Sequence, residues 1–260
     1  MTEIKKLLFK IVGLKNYLRI LHKSFHTLYG FGYLKNNQIY KYHYFDKNII
    51  KKGDCIIDIG ANLGYYTVLF SKWVGDSGKV YAVEPVKYFA DTIKWATKNS
   101  NNIEVYNYAL GQEEKDVTLA TPDNFGYLRT GLPHVIDEKE INTAHEFTFK
   151  AQMKNPGILF KNIAKLDYIK CDIEGYEDIV LPELSELLIK FKPIIQVESC
   201  GEPRVKIEAL LKNIGYEIYS LDKNILKPIE VLNGTEFGDL IFINKENNSV
   251  LDRLKKAGLA

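Results

Sequence analysis

A chain of 260 residues, 46% hydrophobic and 26% charged, is long enough for one large domain with an attached arm and has ordinary globular composition. Its formal net charge of +2 excludes the strong overall field of a nucleic-acid binder or of a partner for acidic chains. No apolar run reaches membrane-spanning length, and an N-terminus with lysines scattered among its apolar residues lacks signal-peptide form, so the expected location is cytoplasmic.

The charge is unevenly placed. Met1 to Lys41 carries eight Lys or Arg against one acid, Glu3, so a basic arm precedes a mildly acidic body. Within that arm Ile4, Leu7, Leu8, Ile11, Leu14, Leu18 and Leu21 recur at spacings of three and four, with Lys5, Lys6, Lys10, Arg19 and Lys23 largely between them. This predicts an amphipathic helix with a basic face. Two readings stay open: the helix packs on the domain with its basic side in water, or that side touches an anionic membrane surface or substrate. A Tyr-rich segment, Tyr29 to Tyr44, leads into the body. His22, His26 and His43 belong to the arm and are expected to take no catalytic part.

From Asp54 the pattern alternates. "CIIDI", "KVYAVE", "IEVYNYAL", "LDYIKCDI", "PIIQVE" and "GYEIYS" are strands, and helices are expected at Tyr65–Trp73, Tyr88–Asn99, Glu177–Lys190 and Arg204–Asn213. Such alternation predicts an α/β fold, a mostly parallel sheet with helices on both faces. Residues 115–121 and 146–151 have no helix between them and suggest an inserted hairpin. The stretch Pro122–His145 between those strands is a long polar loop, and loops of that length tend to be functional. "DLIFIN" is a last strand before an amphipathic tail. The expected division is an arm at 1–48, the main domain at 49–246 and a C-terminal helix at 247–260. Cys55, Cys171 and Cys200 lack metal-ligand spacing and, lying in or beside apolar strand-like runs, are expected to be buried reduced thiols.

"DIGANLG" (Asp58–Gly64) places an acid at a strand end and then a tight glycine turn before a helix. In an open parallel sheet ligands settle at such carboxyl ends. Gly60 permits backbone angles closed to other residues, Gly64 allows the helix to approach the strand closely, and Asp58 can accept from a cationic or hydroxyl group. Glu84 closes the next strand about twenty residues later, where an acid can take both hydroxyls of a ribose. The pair indicates a nucleoside-bearing cofactor. Asn62 and Tyr65 occupy two positions that a pyrophosphate-binding G-x-G-x-x-G motif would keep as glycine, which favours S-adenosylmethionine over NAD.

"IIDIGANLGYYTVLF", "VYAVEP", "NYALG", "YIKCDIEGYE" and "PIIQVES" together resemble, in order and spacing, the FkbM-type methyltransferases, and the likeness runs from about Asp54 to Asn244. The resemblance implies a class I, Rossmann-like methyltransferase fold with a seven-stranded sheet, one strand antiparallel near its edge. It also implies an S-adenosylmethionine-dependent O-methyltransferase acting on a hydroxyl of a sugar, glycan or other metabolite. Carried over by position, Asp58, Gly60, Ala61, Asn62 and Gly64 border the methionine part of the cofactor, Glu84 holds the ribose, and Asn107 to Ala109 lie near the adenine. Asp172 and Glu174 stand over the methyl group. The chain departs from the family in having Leu166-Asp167 directly before its strand, with no preceding threonine.

Methyl transfer to a hydroxyl needs an aligned nucleophile and a proton acceptor. Asp172, Glu174 and Glu198 are the candidate carboxylates. Mg²⁺ at that cluster is an alternative but not the favoured one, and no metal ligands are assigned. Glu174 could instead cap the following helix near Gly175, and His134 or His145 could serve as base if their loop folds over the site. A catalytically silent binding module and, further off, a nucleic-acid methyltransferase remain alternatives; no nucleic-acid partner is expected, because the body is acidic.

Overall fold

Runs of β-branched residues alternating with amphipathic helices bury both faces of a sheet when the helices cross over it, and the chain folds by that rule. The computed structural model describes residues 2–121, 126–131, 133–136, 147–173, 175–230 and 238–260. The chain opens with α1 (Thr2–Gly30) and the short α2 (Lys41–Phe45), then alternates β1 (Cys55–Ile59), α3 (Tyr65–Val74), β2 (Lys79–Val83), α4 (Lys87–Ala96) and β3 (Ile103–Tyr106). Four strands follow: β4 (Ala109–Leu110), β5 (Lys115–Ala120), β6 (His134–Ile136) and β7 (Thr148–Lys154). After one turn of helix, α5 (Pro156–Leu159), come β8 (Tyr168–Cys171), α6 (Glu177–Val180), α7 (Ser185–Phe191), β9 (Ile194–Glu198) and α8 (Gly201–Asn213). The chain ends with β10 (Tyr216–Asp222), β11 (Ile225–Ile229), β12 (Asp239–Asn244) and α9 (Asn248–Lys256).

The main sheet has the order β11-β10-β12-β9-β8-β1-β2-β3. From β3 across to β9 the pairs are parallel; β12 runs antiparallel to both β9 and β10. Among the described residues the sheet therefore has eight strands, not the expected seven. The extra one, β11, forms a hairpin with β10 through Lys223 and Asn224, at φ 47° and 64°. Two successive positive φ values are what a two-residue hairpin turn needs, yet no glycine advertises it in the sequence. Alternation along each strand feeds two cores. Ile57, Ile59, Ile169 and Val197 pack beneath α6, α7 and α8, while Ile56, Tyr168 and Ile194 meet α2, α3 and α9 through Phe45, Phe70 and Leu254.

The inserted hairpin is larger than expected. β5 and β7 pair antiparallel over six residues of register, and β4 and β6 extend them into a four-stranded sheet of order β4-β7-β5-β6. The run "IEVYNYAL" is divided between the two sheets, because the chain crosses from one to the other at Asn107–Tyr108. The single helix expected over 177–190 is broken as well: Pro182 cannot supply an N–H to a continuing helix. In α1, Gly13 at φ 71°, ψ 165° interrupts the helix, so the apolar stripe changes direction there. Beyond it Tyr17 and Leu18 are buried, whereas before it Ile4, Leu7 and Ile11 face outward. Strand order reverses between β1 and β8, which puts the crevice expected of such a sheet at their carboxyl ends.

Candidate functional site

A cavity of about 240 Å³ opens at those strand ends, just under the roughly 300–1,000 Å³ typical of small-molecule sites. Its floor is the turn after β1. Gly60, Asn62 and Gly64 adopt φ of 78°, 52° and 80°, and the N–H groups of Gly60 and Ala61 both donate to the Val83 carbonyl. A Cβ on Gly60 would run into the carbonyl oxygen of Asp172, so the turn after β1 and the end of β8 touch only because that position is bare. At Gly64 the close neighbour is Ile93 of α4, whose side chain would stand 3.2 Å from an added Cβ, so this glycine admits the neighbouring helix rather than the strand.

Glu84, at the tip of β2, is 5% exposed and lines the cavity. Its two carboxylate oxygens accept from the N–H groups of Asn62 and Val86, each at 2.8 Å, which fixes the side chain across the turn. Burial pushes the Glu84 carboxyl up to about 8 against the pull of those two donors. Asp172 and Glu198, at the tips of β8 and β9, complete an arc of three carboxylates on the cavity wall. Ala109 also lines it, beside Tyr108 and Leu110.

Four of the expected cofactor residues lie behind the wall. Asp58 is 1% exposed and points to the α3 side of β1, where its Oδ2 accepts from the Thr67 hydroxyl at 2.6 Å. The alternation of the strand turns it away from the cavity. Burial raises the Asp58 carboxyl to about 6, with the neighbouring Lys170 charge opposing. Ala61 is buried in the turn, and Gly64 sits at the start of α3. The Asn107 amide donates to the carbonyls of Glu84 and Pro85 at 2.8 Å each, bracing the strand end rather than facing the cavity. Glu174 and His145 fall outside the described residues. Glu177, first residue of α6, accepts from the N–H groups of Ile173 and Gly175 just ahead of that helix. Of the three cysteines expected to be buried, Cys200 is exposed, because it stands at the N-cap of α8. Asp167 accepts from the N–H of Cys55 at 2.7 Å, at the opposite end of β8 from the cavity.

Other side chains complete the site. Lys170 is 2% exposed; its Nζ donates to Asp172 Oδ2 at 2.8 Å and lies 4.7 Å from the Tyr66 ring centre. Burial alone would lower the ammonium, but the charges of Asp172, Asp58 and Asp239 more than offset it and raise Lys170 above its ordinary value. The signal was visible in "YIKCDI": a lone cation in a run read as buried on both faces demands buried acids. His43 of α2 stacks on Tyr66 with ring centres 3.8 Å apart, and burial lowers it well below the usual imidazole range. The second sheet supplies the far wall. Leu119, His134 and Val135 line the cavity, and the Asn62 amide donates to the Thr130 carbonyl at 2.6 Å, tying that wall to the glycine turn. Strand β6 thus carries His134 to the site, and Tyr176 closes its edge. Among the described residues no group of three His, Cys, Asp or Glu side chains is disposed to hold a metal ion.

In comparison with known proteins, the sequence matches the family described as the methyltransferase FkbM domain over residues 58–218. Among solved structures the chain is similar to the methyltransferase FkbM of Methylobacillus flagellatus KT, with 14% identity and a TM-score of 0.51 over 92% of this chain and 52% of that one. It is similar to a SAM-dependent O-methyltransferase of Thermotoga maritima, with 14% identity and a TM-score of 0.41 over 75% of this chain and 60% of that one. A third likeness is to Aeropyrum pernix fibrillarin with natively bound S-adenosyl-L-methionine, at 12% identity and TM-score 0.42, covering 75% of this chain and 68% of that one. The chain therefore spans 52% and 60% of the lengths of the first two. No curated protein matches the sequence. The shared architecture is the class I methyltransferase fold.

Proposed function

We propose, since this chain belongs to the FkbM methyltransferase family, that its cavity binds S-adenosylmethionine and that the protein methylates a hydroxyl of a sugar, glycan or similar metabolite. The observation that carries the reading is the meeting of Glu84, Gly60 and Asp172 around one cavity at the carboxyl ends of the strands. These residues fit the cofactor. Gly60 exposes backbone on the cavity lining, and Glu84 retains acceptor capacity for two ribose hydroxyls beside its two backbone donors. Tyr108, Ala109 and Leu110 supply the apolar face that a purine ring needs. When bound, the cofactor supplies an electrophilic methyl group on a sulfonium.

The chain's own residues orient the acceptor and take its proton. Lys170 holds one oxygen of Asp172, so the carboxylate enters the cavity in a fixed orientation and can receive an acceptor hydroxyl. Glu198 and His134 stand on the adjoining walls, and Tyr108 and Tyr176 offer flat faces and hydroxyls of the kind that recognise a sugar ring. The second sheet forms the far wall of this space through Leu119, His134 and Val135.

Calorimetry with S-adenosylmethionine and with NAD tests the cofactor; tight NAD binding without any S-adenosylmethionine binding overturns the proposal. S-adenosylhomocysteine release over a panel of hydroxylated acceptors tests the reaction, and cofactor binding with no turnover on any acceptor points to a silent binding module. Asp172→Asn is expected to lower turnover by about 10²- to 10⁴-fold with cofactor affinity little changed. The opposite split would reassign Asp172 to the cofactor's ammonium.

A further inference from the structure

The two halves of α1 treat their apolar residues differently. After Gly13, Tyr17 and Leu18 pack against Leu63, Val86 and Phe89 and are buried. Before it, Leu8, Phe9 and Val12 join the same cluster, with Phe9 edge-on to Tyr17 at 5.3 Å and to Phe147 at 6.0 Å. That contact is enough to seat the helix. Yet Ile4, Leu7 and Ile11 are 72%, 61% and 72% exposed and, at spacings of three and four, form one stripe on the outer side. A helix serving only the fold would carry polar residues there.

The charges beside the stripe indicate what covers it. Exposed Lys10 borders it, half-buried Lys5 lies on the side of the packed Phe9 and Val12, and Glu3 is the only acid in α1, already paired with Lys6 at 3.4 Å. Two copies of this face brought together would oppose like charges. An apolar ridge with lysines beside it instead matches a surface that is apolar within and anionic at its rim. We propose that the first half of α1 docks on an anionic phospholipid bilayer, with Ile4, Leu7 and Ile11 entering the acyl boundary and Lys5 and Lys10 reaching the headgroups. The long lysine stems let the ammonium groups stay in water while the ridge is buried. This surface is independent of the cavity and of what the cavity binds.

Sedimentation of the full chain with phosphatidylcholine vesicles, with and without about 30% phosphatidylserine, tests it. The chain is expected to pellet with the anionic vesicles and to be released as salt rises from ~50 to ~500 mM. The triple variant Ile4→Ser, Leu7→Ser, Ile11→Ser and the double variant Lys5→Glu, Lys10→Glu should each lower partition on the order of tenfold or more. Ile4, Leu7 and Ile11 lie at the surface, so the triple variant should keep the parent melting temperature and separates docking from folding. Absence of pelleting, equal pelleting by the triple variant, or ultracentrifugation showing that the stripe mediates self-association would each overturn the proposal.

Discussion

At Gly60 a missing Cβ decides whether two strand ends can touch. The Asp172 carbonyl occupies the space that any side chain would need, and φ is 78°. Gly60→Ala should therefore destabilise the chain by about 3 kcal/mol or more, read as a fall in melting temperature of roughly 6–12 °C. The glycine itself was legible in "DIGANLG", but its opposing atom, from a residue more than a hundred positions away, was not. Glu84 offers a test through pH. Its carboxyl, raised to about 8 in the free chain, is mostly protonated at pH 7, while ribose hydroxyls need the carboxylate as acceptor. Binding should then release a proton and tighten as pH rises, about fivefold between pH 7 and pH 8. Methylthioadenosine, which has the ribose but no amino-acid group, isolates this contact in calorimetry, and Glu84→Gln should flatten the dependence. Asp58 shows the limit of reading by position: the acid was evident, but the face of β1 that carries it was fixed only when β1 was packed against α3.

At the scale of elements, β8 shows how a strand can carry both core and chemistry. Tyr168, Ile169 and Cys171 are buried neighbours of a cation whose acids come from three places: Asp172 just beyond β8 itself, Asp58 of β1 and Asp239 of β12. Removing the cation leaves Asp58, 1% exposed, buried without its counter-charge. Lys170→Met is expected to cost about 3–5 kcal/mol at neutral pH. The sign with pH follows from the carboxyls. Asp58 already lies at about 6, above its unfolded value of 3.8, so the fold is penalised as pH rises through that interval. Without Lys170 the Asp58 value rises further, and the deficit in urea midpoint should be larger at pH 7.5 than at pH 4.5. An equal deficit at both values would remove Lys170 from this role. Strand β11 and the division of "IEVYNYAL" were hidden for a related reason: hairpin partner and sheet membership are set by pairing, which local pattern does not encode.

Across the whole molecule the N-terminal segment is part of the site's support. His22 of α1 makes a 2.7 Å bond to the Leu63 carbonyl in the glycine turn, and Leu18 packs with Leu63, Val86 and Phe89, which flank the cavity. Leu18 is fully buried, so Leu18→Ala should cost about 2–5 kcal/mol and lower the melting temperature by roughly 5–15 °C. Because the same cluster holds Val86 and Phe89 of the cavity lining, cofactor affinity should fall with it, whereas a purely peripheral arm would leave affinity unchanged. The sequence by itself determined the alternating α/β architecture, the glycine turn and the acids at the strand tips, since all of these rest on short-range periodicity and on residue types with few alternatives. Tertiary structure alone decided which acids face the cavity, which cation they share, and that a second sheet brings His134 to the cavity wall. Those facts depend on strand register and on contacts between distant segments, where one residue of displacement turns a side chain to the other face.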